Sequence, residues 1–269
     1  MFTILDPEQH DKVKAMVAAA PSGRDTPGLE SNVDDQVRSL IALIRGKYIS
    51  SYGKLRALGL SGISVLFTLD VISKVALGDE FGYLRSEADL HELYSTLRAH
   101  IQFMETDDYG MGKLMGLTNI AVRKRFAPDT LPQRDMLGSF IRHGLTQQSC
   151  ESESLFIFVA GSDTTAATIR VTMLHVLSNP RLYHSLKAEV KRAIQEGKVS
   201  TLITSAEGRA LQYLQVSVPS RAAVIYEGLR IRPIVSGLIF KTVPLSGDTI
   251  NGKFLPGRTA VGTNMPSSY

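Results

Sequence analysis

Cysteine is almost absent from this chain: Cys150 is the only one in 269 residues. No intrachain disulfide can form, and no paired-cysteine metal site exists. A reducing, cytosol-facing location fits that usage. Charge of one sign is also lacking. Lys and Arg total 30 against 26 acids, a net charge of +4, and the basic residues are dispersed. The densest cluster, Arg123-Lys124-Arg125, has no aromatic residues interleaved and reads as a solvated surface turn, so no nucleic-acid partner is expected. The N-terminus has no basic start followed by an apolar run, so neither a signal peptide nor a membrane anchor is expected. The most apolar stretch, Leu55 to Leu77, carries Asp70 and Lys74, with Lys54 just before it and Arg56 inside it. It reads as a core helix, not a membrane span. Internal repeats and low-complexity tracts are missing too.

What is present is an ordinary globular composition. Hydrophobic residues make up 43% and charged residues 21%, with mean hydropathy +0.02, which excludes global disorder. The length allows one large domain or two small ones. Asp6-Pro7 is an N-cap followed by proline at the first helical position. Val13, Met16, Val17 and Ala20 then repeat at helical spacing. A second helix is predicted with Val33, Val37, Leu40, Ile41 and Ile44 on one face, after a polar loop over Gly23 to Asn32. Further helices are expected over Val65 to Leu77, Leu90 to Met104, Leu117 to Phe126 and Met136 to Leu145, with an acid- and glycine-rich loop from Asp107 to Gly116.

A long central helix is expected to start near Glu151 and Glu153 and to end at Ser178-Asn179-Pro180. Asn179 should cap the next helix, whose inner stripe is Leu182, Leu186, Val190 and Ile194, with Gly197 as its stop. Ala223 to Ile231 forms the last helix. After Pro233 the texture changes to short strands around Val235, Leu238, Ile239, Phe240 and Val243. Turn signals at Ser246-Gly247-Asp248 and Asn251-Gly252 indicate a small β meander. The predicted fold class is therefore mostly α (α+β), with a long central helix.

Two motifs stand out. Ala160-Gly161-Ser162-Asp163-Thr164-Thr165 places an acid and two hydroxyls in the middle of the central helix, which is costly unless something uses them. Glu227 and Arg230 sit one turn apart on the last helix. Such a pair can simply bridge on a surface. In this order, with a helix between them, the two motifs resemble the cytochrome P-450 haem-thiolate monooxygenases, especially the fungal branch similar to pisatin demethylase. Asp135 to Gly144 and Gly247 to Gly257 carry the same likeness. It runs from about the family's C helix to the strands after its K helix, so residues 1–269 are expected to be a partial, incomplete cytochrome P-450 domain.

The resemblance implies roles. Thr164 matches the oxygen-activating threonine and Asp163 the acid before it. Together they would hold oxygen and a water and relay protons. Ala160 and Gly161 would let the helix approach the haem. Glu227 and Arg230 would be structural. His10 and Lys14 are similar to the pair that grips a haem propionate, although a solvated helix face explains them nearly as well. Lys241 is better read as an exposed strand lysine than as a second propionate contact. Haem is the cofactor implied, with a small lipophilic substrate and a P-450 reductase as partners. Complete relatives sit at the endoplasmic reticulum membrane.

The chain also departs from the family pattern. The anchor, the first sheet strands and the loop between the family's B and C helices have no counterpart. Pro219, within Val216 to Arg221, interrupts the approach to the last helix, as an insertion or a mis-joined exon would. Met265 to Tyr269 does not continue the family's strand. No cysteine follows Arg230, and Cys150 precedes the oxygen-binding helix, so no axial metal ligand is expected. The reading is a truncated relative of a monooxygenase, inactive as it stands. The alternative is a non-enzymatic helical binding protein with coincidental motifs.

Overall fold

The computed structural model describes residues 6–92, 95, 111–211, 214, 224–234 and 237–265. It divides into two compact units, Met1–Arg170 and Val171–Tyr269. The expected helix over Leu90 to Met104 falls largely outside the described residues, as do Val235 and the Pro219 segment.

In the first unit, α1 (Pro7–Val17) begins as its sequence predicts: the Asp6 carboxylate accepts from the Glu8 N–H at 3.1 Å. The following helix, α2 (Leu29–Leu43), starts earlier than expected, inside the supposed polar loop. Leu29 packs against the core and holds that turn in place. The same correction applies to α3 (Leu60–Leu77), in which Ser61 and Gly62 are helical. Ser64 donates back to the Leu60 carbonyl at 2.8 Å, and Ile63 is buried. Gly78, at φ +89°, ends α3 in the left-handed conformation that suits glycine. By length and composition α3 could cross a membrane. It is instead buried within the unit, with Val65, Leu69, Asp70, Ser73 and Ala76 all inaccessible.

A short α4 (Tyr83–Ser86) follows. Then comes α5 (Met111–Phe126), which corrects the expected loop over Asp107 to Gly116 as far as its described part goes. Gly116 is helical and has open space around it. There glycine costs a helix only about 1 kcal/mol. The next helix, α6 (Met136–Arg142), is capped by Asp135 and is shorter than expected, because Gly144 turns the chain at φ +84°. Around these helices Leu69, Tyr83, Leu114, Leu137, Phe140 and Phe158 form the core, and Phe81 stacks on Phe158 at 5.5 Å.

The 32-residue α7 (Gln147–Ser178) is the longest described helix, about 48 Å at 1.5 Å per residue. It starts before Glu151 and Glu153. Thr146 accepts from the Ser149 N–H at 3.2 Å, so a hydroxyl rather than those acids meets the helix start. Ala160 to Thr165 lie at its middle, as the sequence requires.

In the second unit, α8 (Pro180–Gln195) opens on the Asn179 cap, with 3.2 Å to the Leu182 N–H. Its inner contact is Ala193 rather than Ile194, which is 45% exposed, one position off the packed face. Ala193, Val199 and Leu211 form a small core. The capping box of Thr204 and Glu207 starts α9 (Ser205–Ala210). After it comes α10 (Val224–Ile231).

The strands are antiparallel, as expected, but nested rather than consecutive. β1 (Gly237–Thr242) pairs with β4 (Ala260–Met265), from Gly237 opposite Met265 to Thr242 opposite Ala260. β2 (Asp248–Ile250) pairs with β3 (Lys253–Leu255). Asn251 and Gly252 join that inner pair with φ +51° and +75°, as a type I′ turn requires.

Candidate functional site

Successive residues of α7 are rotated by about 100°, which sorts its central motif into faces. Phe158, Ser162 and Ala166 are fully buried and define the packed side. Ala160, Thr164 and Ala167 lie roughly opposite and are half-buried. Gly161 is on a flank. A Cβ there would stand 2.8 Å from Ile72 Cδ1, so its smallness admits a side chain of α3. Ala160 and Thr164 are the half-buried motif residues opposite that packed side, one turn apart within the first unit.

The motif's polar groups are satisfied locally. The Thr164 hydroxyl donates to the Ala160 carbonyl at 2.6 Å, and Ser162 does the same to Phe158 at 2.7 Å. Thr165 is exposed. Asp163 lies 3.6 Å from the Arg170 guanidinium, two turns along the same helix. Back-bonding and this partner offset the burial cost that made the motif conspicuous. The hydroxyls therefore do not by themselves demand a ligand.

His10 and Lys14 of α1 share a helix face. The His10 ring bonds the Asp11 carboxylate at 3.0 Å, and Lys14 is exposed. Lys241 is exposed on β1, as expected.

On α10 the Glu227–Arg230 pair is bidentate, with Nε–Oε2 at 2.7 Å and Nη2–Oε1 at 2.5 Å. The pair does not pack inward as a unit. Glu227 is 21% exposed, but the Arg230 side chain is 64% exposed. The packed face of α10 is Val224 and Gly228 instead. A Cβ on Gly228 would stand 2.2 Å from Thr172 Oγ1, a buried hydroxyl with no hydrogen-bond partner among the described residues. The hydrogen bond from Arg230 holds the Glu227 carboxyl below its ordinary 4.5. Its contribution is therefore present above that value and is lost as pH falls through the depressed one. Because the Arg230 side chain is largely solvated, we expect Arg230→Ala to change urea-unfolding stability little. Gly228→Val should cost about 1–3 kcal/mol by overpacking. Equal costs would overturn this division between face and edge.

Cys150 sits in the first turn of α7 with no exposure, and its thiol is aimed at the Leu145 carbonyl at 3.9 Å. Burial, helped by neighbouring Glu151, pushes the thiol up to about 12. Fourteen residues separate it from Thr164, about 21 Å along the helix. It is a packing residue and cannot serve as a thiolate beside Thr164.

Two buried acids were not singled out by the sequence. The Asp70 carboxylate accepts from the N–H groups of Gly82, Tyr83 and Leu84 at 2.8–2.9 Å. Asp135 pairs with Arg125. Arg125 also donates to the Leu77 carbonyl at 2.8 Å and is only 9% exposed, so it is no part of a solvated turn. Their only signal was position: Asp70 stands inside an apolar helix, and Arg125 comes three residues after buried Val122.

Mostly helical elements, among them one long helix whose middle carries the motif, characterise this class of protein. A cytochrome P450 crystal structure matches 97% of this chain and 58% of its own, with TM-score 0.68 at 20% identity. A zebra fish cytochrome P450 with abiraterone matches 96% and 60%, also at 0.68 and with 18% identity. The fold is that of P450 haem domains. The cytochrome P450 family profile matches residues 3–268, and the chain belongs to that family.

Among curated relatives, cytochrome P450 monooxygenase aba1 of Botryotinia fuckeliana is 44% identical over 99% of this chain and 56% of its own length. ABA1 of Pyricularia oryzae is 38% identical, over 98% and 56%. Pisatin demethylase of Fusarium vanettenii is 24% identical over all of this chain and 55% of its own. The chain thus spans about half the length of the curated relatives it matches. Coincidental motifs in an unrelated binding protein are ruled out. The family's members use haem, and membership implies a substrate and a redox partner in general terms. Against that cofactor the fit is one-sided. Ala160 and Thr164 offer a small, hydroxyl-bearing face, but the single cysteine is buried, protonated and misplaced, so these 269 residues supply no axial thiolate.

Proposed function

We propose that this chain carries the oxygen-side helix of a fungal cytochrome P450 monooxygenase lineage, with residues 1–269 forming part of one such domain. The carrying observation is the half-buried face of α7 opposite its packed side, where Thr164 lies one turn from Ala160 and bonds its carbonyl, with Asp163 at the edge. In this reading the Thr164 hydroxyl and the Asp163 carboxylate are the groups that hold and pass a proton. Arg170 fixes the carboxylate from two turns away. Ala160 leaves room beside the hydroxyl, while Gly161 serves the packing of α7 on α3. His10 and Lys14, on one face of α1, are the side chains that would meet a propionate, and Glu227–Arg230 is structural. The substrate class is small and lipophilic, by analogy with the secondary-metabolite relatives, and a P-450 reductase supplies electrons to complete members. The family's haem iron binds and activates oxygen when a thiolate holds it.

The polypeptide of these 269 residues lacks that ligand. We expect its reduced carbon-monoxide difference spectrum to show no Soret band of thiolate-ligated iron after haem addition. We also expect no substrate oxidation in the presence of reductase and NADPH. A thiolate-type band that is lost in Cys150→Ser would show that Cys150 holds the iron and that the ligand assignment is wrong.

A further inference from the structure

A hollow of about 420 Å³ lies on the first unit between two loops, with no residue of α7 in its lining. Arg24, Asp25 and Pro27 line it from the α1–α2 connection. Pro132 and Arg134 come from the α5–α6 connection, and Arg142 from the end of α6. Three arginines and one aspartate therefore line it, with Arg142 Nη2 at 3.9 Å from Asp25 Oδ2.

The carboxylate is already engaged. Ser139 donates to Asp25 Oδ2 at 3.0 Å, and His143 Nδ1 lies 3.4 Å from the same oxygen. Arg142 is anchored by bonds to the Gln133 carbonyl at 2.7 Å and the Asp25 carbonyl at 3.1 Å. It stands as a fixed fork at the wall. Arg24 and Arg134 are exposed, and neither guanidinium has an ion-pair or hydrogen-bond partner among the described residues. Two prolines restrict the loops that bring these like charges together. Such a grouping is repulsive when empty and is relieved by an oxyanion with several acceptor oxygens.

We propose that this hollow binds a phosphoryl group, with Arg24 and Arg134 closing on its oxygens and Arg142 setting its position. The chemistry is that of a phosphomonoester or diphosphate, whether free in solution or carried on a lipid headgroup. The proposal is independent of the oxygenase reading, since no residue of α7 takes part.

Pyrophosphate is the probe, titrated calorimetrically into the 269-residue chain at constant ionic strength maintained with chloride. We expect one saturable site. The double variant Arg24→Ala/Arg134→Ala, with unchanged circular dichroism, should weaken binding at least about tenfold. Arg181→Ala, an exposed arginine of α8, should leave it unchanged. Absence of a saturable site would overturn the proposal. So would full binding in the double variant, or an equal loss in Arg181→Ala. Vesicles of phosphatidylcholine with and without phosphatidic acid separate the two sources. Recruitment by phosphatidic acid that depends on Arg24 and Arg134 assigns the site to a headgroup. Pyrophosphate binding without recruitment assigns it to a soluble phosphate.

Discussion

Asp135→Ala should destabilise the first unit by about 3–5 kcal/mol, the cost of stranding a buried cation and losing a helix cap together. The Asp135 side chain is 5% exposed and does two jobs. One oxygen accepts from the Gly138 N–H at 2.7 Å and caps α6. The other pairs with Arg125, whose guanidinium also reaches the Leu77 carbonyl at the end of α3. Three helices are therefore tied at one point. Gly78 belongs to that knot, because a Cβ there would stand 2.7 Å from Asp135 Oδ2. Arg125→Ala should cost a similar amount, since it leaves the carboxylate buried with only the cap bond. The double variant should cost clearly less than the two single costs added, because each single change abandons a charge that the double removes. Urea unfolding of the four proteins gives the coupling energy. Simple additivity would mean that the pair does not act as a unit.

The sequence revealed features whose partners lie within a turn. Asp6-Pro7 and Asn179-Pro180 announced their helices because an N-cap bonds two or three residues ahead. Asn251-Gly252 announced its hairpin because both residues tolerate positive φ. Order and helix context made the Ala160 to Thr165 and Glu227–Arg230 motifs readable as family marks. Features set by distant partners stayed hidden. Arg125 was grouped with Arg123 and Lys124 by adjacency, but helical phase sends it inward while its neighbours stay exposed. That Gly161 meets Ile72, far away in sequence, was not visible either. Arg230 follows apolar Leu229 in sequence, yet its side chain is 64% exposed. The face that packs is set by Thr172 against Gly228, which places Tyr226 and Leu229 outward as well. The nested strand order was invisible for the same reason: turn signals reveal where strands end, not which strand lies beside which.

Asp70→Ala should have an effect of the same order, about 3–5 kcal/mol, for a different reason: it leaves buried donors with nothing to meet. Asp70 is 2% exposed, in the middle of α3. Its carboxylate is the sole side-chain acceptor of the N–H groups of Gly82, Tyr83 and Leu84 among the described residues. Those are the opening amides of α4, a helix of only four residues that cannot stand without its cap. Each buried donor left unmet costs about 1–3 kcal/mol, partly recovered where water or the chain can relax toward it. Tyr83 is fully buried, so loosening α4 also disturbs the apolar cluster around Leu69 and Phe140. Asp70→Asn distinguishes capping from mere bulk. Its amide oxygen can still serve Gly82 and Tyr83, bonded at 2.8 and 2.9 Å to Oδ1, while its NH₂ would face the Leu84 N–H. That variant should recover about half of the loss, and Asp70→Leu, matched in size without an acceptor, should recover none. Hydrogen exchange of the Gly82, Tyr83 and Leu84 amides reads the cap directly. Fast exchange in Asp70→Ala with slow exchange in the parent is the expected pattern. Unchanged protection of these three amides in Asp70→Ala would mean that α4 is held by packing alone.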